Sequence, residues 1–448
     1  MREVTIVGGG LAGCEAAWQL ADRGFKVRIF EMRPETPTGA HKTDRLAEIV
    51  CSNSFKSTLL DTASGLLKAE MDVLGCRLLG VARDSAVPAG HALGIDRELF
   101  SGGVTARIEA HPNISVERTR IDSLDLPTPA IIATGPLTGD ALSAALVAHC
   151  TRDHLYFYDA IAPSVDGDSV DPSVGYWASR YGKGDADYLN IPFDKEQYQK
   201  LVAFVRGAEY VQSHAFEEEK YFEACLPIEV LVARGEDTLR FGPMKPRGLP
   251  DPRTGRDPYA VLQLRKESRE GSLMGLVGFQ TRMTWACQKE LLRMLPGCSD
   301  VSVLRFGTIH RNIFLDIPSL CAPYLQDRAR PGLHYAGQIS GVEGYVESIM
   351  SAIVVALSIT AAAEGRPMPP IPRATMIGSL MDYVHTPRKN FQPMNANFGL
   401  MPTQGNGGRR SRKVRHDEVS TAALAAMESY RAENVWLFPA PQSLPNFA

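Results

Sequence analysis

The sequence predicts an α/β protein: a nucleotide-binding Rossmann domain interrupted by an inserted α+β domain. Three observations predict it. A strand–glycine–helix–strand unit opens the chain, and a second strand–glycine–helix segment follows residue 330. Between them the chain changes to mixed helical and extended stretches rich in Pro and Gly.

The opening stretch is "REVTIVGGGLAGCEAAWQLADRGFKVRIFEMRP". Val4 to Val7 is an apolar, β-branched run, hence a buried strand. Gly8, Gly9, Gly10, Leu11, Ala12 and Gly13 then spell G-x-G-x-x-G. The first glycine of the pattern permits the tight turn, the second lets backbone approach a pyrophosphate, and the third lets helix and strand pack closely. Cys14 to Ala21 are good helix formers, and that helix would present free N–H groups to phosphate. Gly24 ends it, Lys26 to Phe30 is the second strand, and Glu31 follows, placed to accept ribose hydroxyls. The motif alone does not decide among FAD, NAD and S-adenosylmethionine.

The segment "RPGLHYAGQISGVEGYVESIMSAIVVAL" narrows the choice. Leu333 to Ala336 reads as a short strand, Gly337, Gly341 and Gly344 follow, and a long apolar helix begins. A late segment of this kind, returning to the first βαβ unit, is typical of FAD proteins of the glutathione-reductase type. "PAIIATGPLTG", from Pro129 to Gly139, is a third glycine-ended strand. Together they favour FAD. Tyr345 is a candidate to lie against the flavin ring, or else a packed core residue.

From about Trp177 to Leu304 the pattern changes. "DKEQYQKLVAFVRGAEYVQ" reads as helical, Phe216 to Cys225 as an acidic, aromatic helix, and "YAVLQLRKE" as a strand. Between them, Arg240 to Pro258 carries five basic residues against two acids. The expected division is therefore 1–176 and 305–448 for the FAD-binding domain, with 177–304 inserted to bring substrate. In the tail, five of the seven residues from Arg409 to Arg415 are Lys or Arg. This is a candidate phosphate-binding segment or a charged helix start, ahead of a closing helix in "DEVSTAALAAMESYRAE".

Composition sets bounds. The 448 residues are 44% hydrophobic and 22% charged with net charge −3, so no overall basicity points to nucleic acid. The eight cysteines form no C-x-x-C pair, which speaks against a zinc site, and reduced thiols fit a cytoplasmic location. No metal is expected. The chain opens directly on a strand, without the features of a signal peptide. The apolar stretch Ser351 to Ala363 is short for a membrane span and reads as a buried helix.

Several longer stretches carry a resemblance: "VCSNSFKS", "FEACLPIEVLVARGEDTLRFGPMKPRGL", "AVLQLR", "LVGFQTRMTW" and "FQPMNANFGLMP". In order and from end to end, the chain resembles the folate- and FAD-dependent tRNA (uracil-5-)-methyltransferases. The resemblance implies methylation of a uridine in the T-loop of tRNA. It implies 5,10-methylenetetrahydrofolate as carbon donor, reduced FAD as hydride source and NAD(P)H to recharge it. A larger FAD-containing relative that makes carboxymethylaminomethyl uridine shares the flavin domain. The absence here of its long C-terminal helical extension is expected to separate the two. A flavin oxidoreductase acting on a small molecule is the other alternative.

Such chemistry needs a nucleophile for C6 of the uracil, a base for the C5 proton and a hydride donor. The resemblance places functional cysteines at Cys225, expected as the nucleophile, and Cys51, expected as its partner in proton handling or adduct control. Read without it, any cysteine here is a small core residue. Lys56 stands close to Cys51 in sequence and is expected to favour a reactive thiol. Arg282 and Trp285 are candidates to pair with and stack on the folate. Lys245, Arg247, Arg409, Arg410, Arg412 and Lys413 are candidates for tRNA phosphates.

Overall fold

The run Val4–Val7 sits in the middle of a sheet, as a strand of β-branched residues buried on both faces should. In a computed structural model, which describes residues 2–150, 155–182, 185–211, 226–268, 270–307, 309–388, 391–402 and 412–438, this strand spans Glu3–Val7. It pairs in parallel with Lys26–Phe30 on one side and Ala130–Ile132 on the other. Leu333–Tyr335 pairs in parallel with Ala130–Ile132, and Ile114–Glu117 with Lys26–Phe30. Two short antiparallel strands, Cys321–Ala322 and Gln326–Asp327, complete a seven-stranded sheet. The strand order leaves one strand between the two glycine motifs, so both open at the same edge of the sheet.

The helix Leu11–Asp22 and the helix Tyr345–Ala363 pack on each other beside this sheet. Gly24, at φ +81°, lets the chain reverse after the first helix, its amide bonding the carbonyl of Ala21. The second helix begins directly after Gly344, as the late glycine motif predicts, and ends with the apolar stretch Ser351–Ala363. Its 19 residues are long and apolar enough to cross a membrane by length and composition, yet 78% of the relevant window is buried inside the protein. It is the core helix of the flavin-type domain.

The chain leaves this domain along Leu155–Ala160 and returns along Ile309–Phe314, an antiparallel two-stranded ladder. Beyond it lies a six-stranded antiparallel sheet with its own apolar core, which runs from Val165 to Val301 and includes Leu262 and Phe279. Helices Lys195–Gly207, Ile228–Arg234 and Trp285–Met294 contribute apolar faces to that core. This sheet already includes Ser164–Asp166, so the insert begins ahead of the expected boundary at 177; at the other end, Val303–Arg305 is its edge strand. Strands of two or three residues leave no periodicity to read, which is why composition placed the change late. The expected acidic helix from Phe216 to Cys225 lies outside the described residues.

One core residue gives the fold a pH dependence. His334 is buried within the parallel sheet, and burial lowers its imidazole to about 4. Its Nε2 has no partner among the described residues. The unfolded chain takes up a proton near pH 6.5 while the folded chain does not. Stability is therefore full above pH 6.5 and falls as the pH drops toward 4, by about 3 kcal/mol in all. Denaturant midpoints at pH 7 and pH 5 check this. The wild type is expected to lose more stability over that interval than His334→Leu, and equal losses would reject the assignment.

Candidate active site at the seam between the domains

The first glycine motif has the geometry of a dinucleotide cradle. Gly8 lies at φ +106°, and a Cβ there would stand 2.6 Å from the carbonyl oxygen of Ala133. A Cβ on Gly13 would stand 1.9 Å from the carbonyl oxygen of Gly8, so only glycine lets the helix start this close to the strand. Gly10 differs: it caps the helix with extended backbone, and nothing lies within 4 Å of its would-be Cβ. That open space at the helix N-terminus is where a pyrophosphate fits. Gly8, Gly10, Glu31 and Thr138 line a cleft beside it.

Glu31 is buried, and burial opposes its ionisation, but hydrogen bonds and charge from Arg33 outweigh this and hold the carboxyl below its usual range. Oε1 accepts from Arg33 N and Nε, and Oε2 accepts from Gly9 N at 2.8 Å. A carboxylate offers about four acceptor directions. Three are taken, and the one left on Oε2 suits a ribose hydroxyl. The residues present thus fit the adenosine and pyrophosphate of FAD.

The late motif returns to the first. A Cβ on Gly337 (φ +82°) would stand 3.0 Å from the Cβ of Ala12, in the first turn of the opening helix. Gly341 lies under the ring of Phe391, and Met394 exchanges backbone bonds with Gly341 and Glu343, so the "FQPMNANFGLMP" stretch seals this turn. Tyr345 then packs its ring 5.9 Å from that of Phe55 and reaches the thiol loop with its hydroxyl. Its hydroxyl oxygen accepts the amides of Cys51, at 2.7 Å, and Ser52, at 3.3 Å. Burial, with the neighbouring Cys51, pushes its phenol up, so it stays protonated and its own hydrogen points in a third direction.

The carbonyls of the same loop are held from elsewhere. Arg97 donates to Ile49 O at 2.9 Å and Cys51 O at 3.3 Å, and Arg305 donates to Val50 O. Arg97 also pairs with Glu267 at 3.2 Å, and Asn53 donates to Lys266 O. Arg305, Glu267 and Lys266 belong to the insert. Cys51 therefore sits at the seam of the two domains, between the flavin-type turn and the substrate domain. Lys56, expected beside the thiol, instead pairs at 2.9 Å with the fully buried Glu347. Positive charge reaches the loop through Arg97 and Arg305. Sequence reading missed both, along with Glu267, because they lie 46, 255 and 216 positions (97 − 51, 305 − 50, 267 − 51) from the residues they meet or serve.

The other expected residues are distributed as follows. Cys225 lies outside the described residues; its neighbour Leu226 is buried. Arg282 lies over the ring of Tyr210 and 3.8 Å from Glu229, and its amide donates to Glu229 Oε1. Trp285 is 62% exposed and stacks on Phe306 at 5.2 Å and 14°. Phe306 directly follows Arg305 at the end of the insert's edge strand. Lys245 and Arg247 are exposed, on a loop whose carbonyls accept from Arg180. Arg409 and Arg410 lie outside the described residues. Arg412 and Lys413 begin the helix Arg412–Glu433, with side chains outside the description. That helix docks on the flavin-type domain through Ser420 and His416. Burial raises the thiols of Cys14, Cys76, Cys150 (to about 11), Cys298 (to about 12) and Cys321, as inert core sulfurs should behave.

Comparison with known proteins adds three findings. The profile of the family described as glucose inhibited division protein A matches residues 3–367. The chain is 48% identical over 435 residues to the methylenetetrahydrofolate–tRNA-(uracil-5-)-methyltransferase TrmFO of Heliobacterium modesticaldum, covering 96% of this chain and 98% of that one. It is 46% identical over 433 residues to the protein of the same name from Aquifex aeolicus, covering 97% of each. Among solved structures it resembles Aquifex aeolicus GidA with a TM-score of 0.71 at 16% identity, covering 98% of this chain and 74% of that chain.

Proposed function

Since the chain belongs to the family of methylenetetrahydrofolate–tRNA-(uracil-5-)-methyltransferases, within the wider glucose inhibited division protein A family, we propose that its seam carries out that methylation. The substrate is a uridine in the T-loop of tRNA, and the carbon comes from 5,10-methylenetetrahydrofolate. Reduced FAD, when bound, supplies the hydride, and NAD(P)H restores it. The site of action is the cytoplasm.

The chemistry assigns work to this chain's own residues. A thiolate adds to C6 of uracil and makes C5 nucleophilic; C5 takes the one-carbon unit; loss of the C5 proton with release of tetrahydrofolate leaves an exocyclic methylene; hydride converts that methylene to methyl as the thiolate leaves C6. Cys225 is the nucleophile. Cys51, held between Tyr345 and Arg97, handles the proton or the adduct. Glu31, the glycines 8 to 13 and Gly337 hold FAD. Trp285 offers its exposed face to a flat ring, with Arg282 nearby for a carboxylate. Lys245, Arg247 and the Arg409–Lys413 segment meet tRNA phosphates.

The observation that carries this reading is the position of Cys51, fixed by the cofactor-side Tyr345 and by the insert's Arg305 at once. The test is transfer of labelled carbon from methylenetetrahydrofolate into a T-arm transcript, with FAD and NADPH present. Label is expected in the uridine. No label, together with rapid NAD(P)H oxidation on a small acceptor, would replace the reading with a small-molecule oxidoreductase.

A further inference from the structure

We propose that Arg97 and Arg305 are positioning residues for Cys51, which hold its loop by three consecutive carbonyls and supply the positive charge that a sulfur anion needs there. The proposal rests on the reading of Cys51 as a functional thiol and adds the groups that make it one.

Three features carry it. The first is the completeness of the clamp. The carbonyls of Ile49, Val50 and Cys51 accept from two guanidiniums, and the amides of Cys51 and Ser52 donate to Tyr345. A non-helical loop whose backbone groups are satisfied by side chains from three distant parts of the chain is fixed in place.

The second is charge. Around the loop stand Arg97, Arg305 and, two residues before Glu267, Arg265, facing the single carboxylate of Glu267, which also accepts from Ser164 at 3.0 Å. Tyr345, the other titratable group facing Cys51, is neutral. Lys56 is balanced by Glu347. The cluster thus carries positive charge beyond what Glu267 offsets, in a setting where uncompensated charge is expensive.

The third is an unused donor. Arg97 Nε is buried without a partner among the described residues, although the same guanidinium spends its other nitrogens on the loop and on Glu267.

The test reads the thiol directly. Iodoacetamide labelling of Cys51, quantified on its peptide by mass spectrometry from pH 6 to 9, is compared in wild type, Arg305→Gln, Arg97→Lys and the double variant Arg97→Gln/Glu267→Gln. The double variant avoids leaving Glu267 buried and unpaired. Flavin content and thermal midpoint report folding. Cys51 labelling at pH 7.5 is expected to fall about tenfold in Arg305→Gln, with the profile moved to higher pH, and by less in the double variant, which loses one charge of each sign along with two clamp bonds, while Arg97→Lys keeps part of the rate. Folded, flavin-bearing variants that label Cys51 at the wild-type rate and pH would overturn the proposal. If the double variant does not fold, Arg305→Gln alone decides. Because alkylation needs neither folate nor tRNA, a blank methylation assay leaves this result standing, and normal methylation does not rescue it.

Discussion

Cys51→Ala and Cys225→Ala are each expected to abolish label transfer, by about a thousandfold or more, with FAD still bound. Addition of sulfur to the pyrimidine creates the nucleophilic carbon, and Cys14, Cys76, Cys150, Cys298 and Cys321 are poor stand-ins, since desolvation raises their thiols. The Cys51 variant isolates the sulfur cleanly. Among the described residues its hydrogen bonds run through the backbone, the amide to Tyr345 and the carbonyl to Arg97, and alanine keeps both. Rates of methylation, measured beside the flavin spectrum, check the pair. Full methylation in both variants would remove the sulfur roles even if the overall function stood.

The second large effect separates two glycines three residues apart. In Gly10→Ala the new methyl meets no protein atom within 4 Å, and the backbone at φ −77° suits alanine. The thermal midpoint of the cofactor-free protein is expected to stay the same. FAD affinity is expected to fall at least tenfold, about 1.4 kcal/mol, because the methyl occupies the approach to the pyrophosphate. In Gly13→Ala the methyl falls 1.9 Å from Gly8 O. Helix and strand must part, so stability drops by about 1–3 kcal/mol and FAD binding drops with it. Titration of FAD into both apoproteins, beside their unfolding curves, tests the contrast. Gly10→Ala binding FAD as tightly as wild type would mean the open space is not the cradle.

Sequence by itself determined the parts of this protein whose information is local. The strand Val4–Val7, the turn at Gly8–Gly13, the helix stop at Gly24 and the late glycine turn at Gly337–Gly344 each follow from a few neighbouring residues. Backbone sterics and side-chain period act over such short distances. Long matching stretches identified the chemistry for the same reason. The tertiary structure alone decided what surrounds the thiol. Lys56 stands five residues from Cys51 yet turns to Glu347, whereas Arg97 and Arg305 arrive from a helix start and a sheet edge that carry no signal of their own. The early start of the insert was hidden similarly, in a three-residue strand at Ser164–Asp166. Long-range pairing of charges and backbone groups depends on how elements pack, and packing is a property of the whole chain rather than of any window within it.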